Sequence, residues 1–115
     1  MHIIILKGNP LSTQNIYRFH SRGGYMTKAG KEQKESYQWQ TRSQYRLQPL
    51  ANALKLTVQL FFGDKRIRDI DNYHKLSLDS FSGIVWNDDS QIMEMHITKA
   101  YDKENPRIEL AVESL

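Results

Sequence analysis

The chain has no cysteine among its 115 residues. That excludes a disulfide framework, thiolate zinc sites and cysteine nucleophiles. Long apolar runs are also missing. The longest, Ile3 to Leu6, falls far short of the ~20 residues a membrane helix needs. It also lacks the basic flank and the ~7–15-residue apolar core of a signal peptide. No membrane partner and a cytoplasmic location are the expectations. Internal repeats and low-complexity tracts are absent. His2, His20, His74 and His96 show no metal-ligand spacing, and no His-Glu-x-x-His occurs. Gly23-Gly24 is not part of a Gly-x-Gly-x-x-Gly or Walker pattern, so no phosphate-cradling loop is indicated.

What remains is an ordinary globular composition, 39% hydrophobic and 25% charged. A chain of this size buries roughly two-thirds of its unfolded surface, enough for one core. Residues 1–115 therefore read as a single domain.

The net charge is only +3, but it is unevenly placed. Residues 1–68 hold 12 Lys/Arg against 3 Asp/Glu, and residues 69–115 hold 4 against 10. A basic half suits a polyanion, because neutralising phosphates releases counterions. Grouped aspartates suit a divalent cation. Together these are the requirements of a metal-dependent phosphodiesterase. Two differently charged solvated faces would give the same counts.

Periodicity supplies the elements. His2 to Lys7 reads as a strand stopped by Gly8-Asn9-Pro10. Residues 11–26 read as a long basic loop containing Arg18 and Arg22, interleaved with Tyr17, Phe19 and Tyr25. Thr27 can cap a helix over about 27–46. Leu54, Leu56, Val58, Leu60 and Phe62 alternate with polar residues, the period of a strand. A second helix fits about 71–82, ended by Gly83. Met93, Met95 and Ile97 mark a third strand, and Ile108, Leu110 and Val112 a fourth. The last two are expected to form an antiparallel hairpin. The expected fold is α+β: a two-layer β-α-β-α-β-β chain with helices on one face of a mixed sheet.

Chemistry concentrates in two acidic segments. The first is Arg68-Asp69-Ile70-Asp71-Asn72, followed by Lys75 and Asp79; the second is Asn87-Asp88-Asp89-Ser90-Gln91. Asp69 and Asp71 would diverge by about 200° on a helix, but share a side in an extended segment. They are expected to be extended just before the second helix, with Asp71 or Asn72 capping it. Lys75, one turn on, can face the same site. Clustered carboxylates need neutralising, and Mg²⁺ does so with oxygen ligands and retained waters. For Asp89 to share that ion, Gly83 to Asp89 must run back nearly straight along the helix. The alternative is a helix cap beside a turn.

The motif Arg68-Asp69-Ile70-Asp71-Asn72, Lys75, Asp79 and Asp88-Asp89-Ser90-Gln91 resembles the RusA family of Holliday-junction resolvases. Pro10, Asn15, Tyr17 and Arg18 are similar to that family's N-terminal loop, and Lys65-Arg66 to its basic lead-in. Tyr101 to Arg107 resembles its last turn. Ile67 departs from the usually continuous basic run. The resemblance implies a homodimeric, Mg²⁺- or Mn²⁺-dependent endonuclease that nicks opposed strands of four-way DNA junctions symmetrically. By position it puts catalytic carboxylates at Asp69, Asp71 and Asp89, also the metal ligands, and a catalytic lysine at Lys75. Arg18, Arg22, Lys65, Arg66 and Arg68 are the candidate nucleic-acid contacts. Two other readings fit the residues: a non-catalytic nucleic-acid-binding module, or a general metal-dependent phosphodiesterase or ribonuclease. Trp86 is expected to pack under the second aspartate segment.

Overall fold

Period-two apolar patterning makes the centre of the structure, a computed structural model that describes residues 1–20 and 23–115. Strand β4 (Leu54–Phe62) buries Leu54, Leu56, Val58, Leu60 and Phe62 on one face. The same alternation gives β1 (His2–Lys7), β5 (Ile92–Tyr101) and β6 (Arg107–Ser114). These form a four-stranded mixed sheet in the order β1-β6-β4-β5. Helices α2 (Lys28–Gln44) and α3 (Lys75–Phe81) pack together, and the core lies between this helical layer and one sheet face. The α+β reading, with a two-layer arrangement around a mixed sheet, is thus observed.

Thr27 caps α2 as expected, its hydroxyl accepting from Gly30 N–H at 3.0 Å. Gly30 is needed for packing: a Cβ there would lie 2.8 Å from the Ile16 carbonyl oxygen. Residues 11–20 and 23–26 are more ordered than a loop. They contain a four-residue helix α1 (Thr13–Ile16) and a hairpin of β2 (Tyr17–His20) with β3 (Gly23–Met26).

The expected hairpin of the last two strands does not form. β5 pairs parallel with β4, and β6 pairs antiparallel with the other side of β4. The intervening chain crosses the end of β4, where Asp102 N–H donates to the Phe62 carbonyl at 2.8 Å. Arg107 fixes this crossing. It bonds Asp102 at 2.7 Å and Glu109 at 2.9 Å, and its guanidinium lies 3.9 Å over the Phe61 ring.

The two sheet edges differ. At β1, the side-chain amides of Gln40 and Gln44 on α2 replace a neighbouring strand. Gln44 accepts from Ile5 N–H at 2.8 Å and donates to its carbonyl at 2.7 Å. Gln40 does the same at Lys7. β5 is the opposite edge and is exposed along nearly its whole length, Met93, Met95 and Tyr101 included. No helix among the described residues is long and apolar enough to cross a membrane.

Candidate active site

The segment after β4 is a braced basic loop. Arg68 turns inward: its guanidinium lies 2.7 Å from Asp64 Oδ1 and 4.3 Å over the Phe62 ring. It also donates to the Asp64 carbonyl at 3.2 Å. Lys99 on β5 donates to the Arg68 carbonyl at 2.5 Å. Hydrogen bonds from the Arg66 backbone N–H and the Arg68 guanidinium hold the Asp64 carboxyl below the usual carboxylate range. Lys65 sits 5.1 Å over the Tyr101 ring. The Arg66 side chain is 83% exposed and that of Arg68 only 12%, which separates a cation available to a polyanion from one used to brace the loop.

Asp69 and Asp71 follow directly. Asp69 is extended, at φ −83° and ψ 126°, and begins a one-turn 3-10 helix over Ile70–Asn72. Thr13 on α1 ties this turn down, its hydroxyl donating to the Asn72 carbonyl at 3.1 Å. The α-helix starts only at Lys75, so neither Asp71 nor Asn72 is its cap, contrary to expectation. His74 holds that place, with no side-chain capping bond. Tight i→i+3 bonding, Asn72 N–H to the Asp69 carbonyl at 3.3 Å, takes up the residues that were expected to open the helix. Both aspartates are exposed, and neither forms an ion pair among the described residues.

Lys75 Nζ lies 3.5 Å from Asp79 Oδ2, one turn along α3. The Tyr17 hydroxyl donates to the same oxygen at 3.0 Å. Burial, and then the Asp79 carboxylate, raise the Tyr17 phenol above its ordinary pKa. His74 is half-buried, and its Nδ1 has no hydrogen-bond partner among the described residues. Burial lowers its pKa; the Asp71 charge opposes this and Lys75 adds to it. The histidine therefore stands electrostatically between the acid and the base of the motif, a position its lack of metal-ligand spacing did not reveal.

The second acidic segment is a built turn. Asp88 and Gln91 form a reciprocal capping box: Asp88 Oδ2 accepts from Ser90 N–H at 3.1 Å, and Gln91 Oε1 from Asp88 N–H at 2.9 Å. Hydrogen bonds from Ser90 hold the Asp88 carboxyl below its usual range. Gln91 also donates to the Leu50 and Asn52 carbonyls, anchoring the turn beside the start of β4. Trp86 is fully buried under this turn, as expected, and its Nε1 donates to Asp89 Oδ1 at 2.7 Å. That bond fixes the orientation of Asp89.

The two acidic segments stand toward opposite ends of the β4–β5 ladder. Asp69 follows Arg68, whose carbonyl is held by Lys99, the residue paired with Leu60 near the end of β4. Asp89 precedes Ile92, which pairs with Leu54, the first residue of β4. Among the described residues, no group of three or more His, Asp or Glu is arranged to hold a metal ion. The straight return from Gly83 does not occur, because the chain turns there instead. Gly83, at φ 86°, donates to the Trp86 carbonyl at 2.7 Å, and Leu50 N–H donates to the Val85 carbonyl at 2.7 Å.

Of the candidate nucleic-acid contacts, Lys65, Arg66 and Arg18 are exposed. Arg22 lies outside the described residues. Comparison with known proteins decides the family: the profile of endodeoxyribonuclease RusA matches residues 7–113. The chain belongs to the RusA endodeoxyribonuclease family. It is also 31% identical over 64 residues to the crossover junction endodeoxyribonuclease RusA of Enterobacteria phage 82. That match covers 55% of this chain and 53% of the phage protein, so the chain spans about half the length of that relative. For a RusA-family chain, the exposed Asp69–Asp71 pair beside a braced cationic loop is the feature with chemical capacity.

Proposed function

We propose that this chain is a divalent-metal-dependent endonuclease of branched DNA, cutting four-way junctions by paired nicks as a cytoplasmic homodimer. The single observation that carries the reading is the Asp69–Asp71 pair. These are two exposed carboxylates without ion-pair partners among the described residues, directly following a cationic loop. Two hard oxygen donors fit Mg²⁺ or Mn²⁺, which is commonly held by one or two carboxylates, waters and a substrate phosphate. Such an ion, when bound, polarises the phosphodiester and acidifies a water.

The chain's own groups supply the rest. Lys65 and Arg66 hold phosphates and set the DNA register. Lys75 is half-exposed at the start of α3 and can leave Asp79 for the scissile phosphate. Asp79 then keeps the Tyr17 hydroxyl as a donor, so the exchange leaves no stranded carboxylate.

The two edges of the sheet support a role for Asp89 in a site shared between two copies. β1 is closed by glutamine amides and β5 is open, so a second copy docks along β5. A two-fold axis across β5 sets the beginning of one strand beside the end of its mate. Asp89, ahead of the beginning, then approaches the partner subunit's loop at the end. Two such composite sites suit two opposed scissile phosphates.

A labelled four-way junction and a matched linear duplex, each incubated with and without Mg²⁺, test the reading. It expects Mg²⁺-dependent cleavage of the junction in preference to the duplex. Binding with no cleavage in Mg²⁺ or Mn²⁺ contradicts it.

A further inference from the structure

Nothing in the fold accounts for Ile67. Its side chain is fully exposed at the crest of the loop between β4 and Asp69. A lone exposed apolar residue is ordinary on a protein surface; the setting of this one is not. The loop beneath it is braced on both flanks, by Arg68 on Asp64 and Phe62 and by Lys99 on the Arg68 carbonyl. The crest is therefore held up in solution and does not fold back onto the core.

Ile67 also lines two clefts, one on each side of the ridge. The first carries Lys65, Lys99 and Tyr101. The second carries Asn15, Arg66 and Tyr73. Both present cationic or hydrogen-bonding groups, and the second is lined mostly by polar atoms. Asp69 is two residues away, within about 7 Å along the backbone.

We propose that Ile67 is a wedge that covers the face of a base pair at the branch point of a four-way junction, while two arms diverge into the clefts beside it. The inference rests on the reading of the chain as a branched-DNA endonuclease, and it assigns the residue that senses the branch. At a branch point the arms can part, and an apolar side chain that covers the last base pair of one arm takes the place of the neighbour it loses and holds the arms apart. In a continuous duplex the same contact requires unstacking a step. Ile67 thus discriminates by shape, while Lys65 and Arg66 bind phosphates of any sequence.

The test uses the full chain and four-way junctions carrying 2-aminopurine at the branch-point pairs, in Ca²⁺ buffer. Wild-type protein should raise the fluorescence on binding. Ile67→Ala should cut the rise at least about threefold, and the junction-over-duplex preference about tenfold. Ile67→Leu should retain both, and duplex affinity should move by less than about twofold. An undiminished rise with Ile67→Ala overturns the wedge. So does a change of oligomeric state in that variant by light scattering, which would make Ile67 a contact between chains. Wild-type protein that cleaves junctions in Mg²⁺ without a fluorescence rise overturns the wedge alone. Wild-type protein that neither binds nor cleaves junctions overturns the nuclease reading beneath it.

Discussion

Arg68 and Asp64 close the basic loop from inside, with their charged groups 2.7 Å apart and the guanidinium resting on Phe62. Arg68→Ala should therefore lower the melting temperature, since it removes the charged hydrogen bonds of a guanidinium that is itself largely shielded from water. Its junction affinity should fall while the slope of log affinity against log salt stays unchanged. Arg66→Ala should instead leave stability within about 0.5 kcal/mol and flatten the slope by roughly 0.9. Thermal melts and salt-series binding on both variants check this pair of outcomes.

Acid should weaken the fold through carboxylates that the native state keeps ionised. Hydrogen bonds lower the pKa of Asp64, Asp88 and Asp102 from the ordinary 3.8, the last chiefly through Arg107. The unfolded chain then binds more protons than the native one as pH drops through about 4. The stability they contribute is present above that pH and lost below it. Melting temperatures between pH 6 and pH 2 should decline most steeply below about pH 4. Asp102→Asn should start lower and show a shallower acid decline.

Trp86 holds Asp89 by one hydrogen bond from a fully buried ring. Trp86→Phe should cost about 1–3 kcal/mol, combining a lost charged hydrogen bond with a small cavity. Cleavage should fall more than the loss of folded protein explains, because Asp89 is no longer oriented. Activity per folded molecule, normalised by circular dichroism, separates the two effects.

Composite sites make a sharp prediction about mixtures. Asp71→Asn and Asp89→Asn homodimers should each be inactive. Mixed and allowed to exchange subunits, they should regain cleavage, because one of the two sites in the heterodimer then has every carboxylate. Sites built within one chain predict no recovery. Met95→Lys on the open edge of β5 should shift the chain toward monomer in sedimentation velocity and reduce cleavage in parallel.

Local patterns were legible in the sequence wherever one face of an element is buried. Leu54 to Phe62 alternates, and the strand is found at those residues; Thr27 caps its helix as read. The β2–β3 hairpin was not legible, because its short strands carry Arg18, Gly23 and Gly24 in place of an apolar face. The partner of β5 was hidden for another reason. A short connection predicts a hairpin, whereas the Arg107 network and the bond to the Phe62 carbonyl hold the chain across the end of β4. At the site, residue types and spacing marked Asp69, Asp71 and Lys75 as candidates. They did not disclose that Arg68 faces inward, since whether an arginine braces or binds depends on the distant Phe62 ring beneath it. Nor could spacing reveal that the chain turns at Gly83 and brings Asp89 beside the start of β4.

The central claim is that Asp69 and Asp71 hold the ion that cuts branched DNA, and Asp71→Asn tests it most directly. The substitution keeps size and removes a charged ligand. With a labelled four-way junction in Mg²⁺, the account predicts at least about a hundredfold loss of cleavage rate, with melting temperature and junction affinity close to wild type. Cleavage by Asp71→Asn within about twofold of wild type would contradict it.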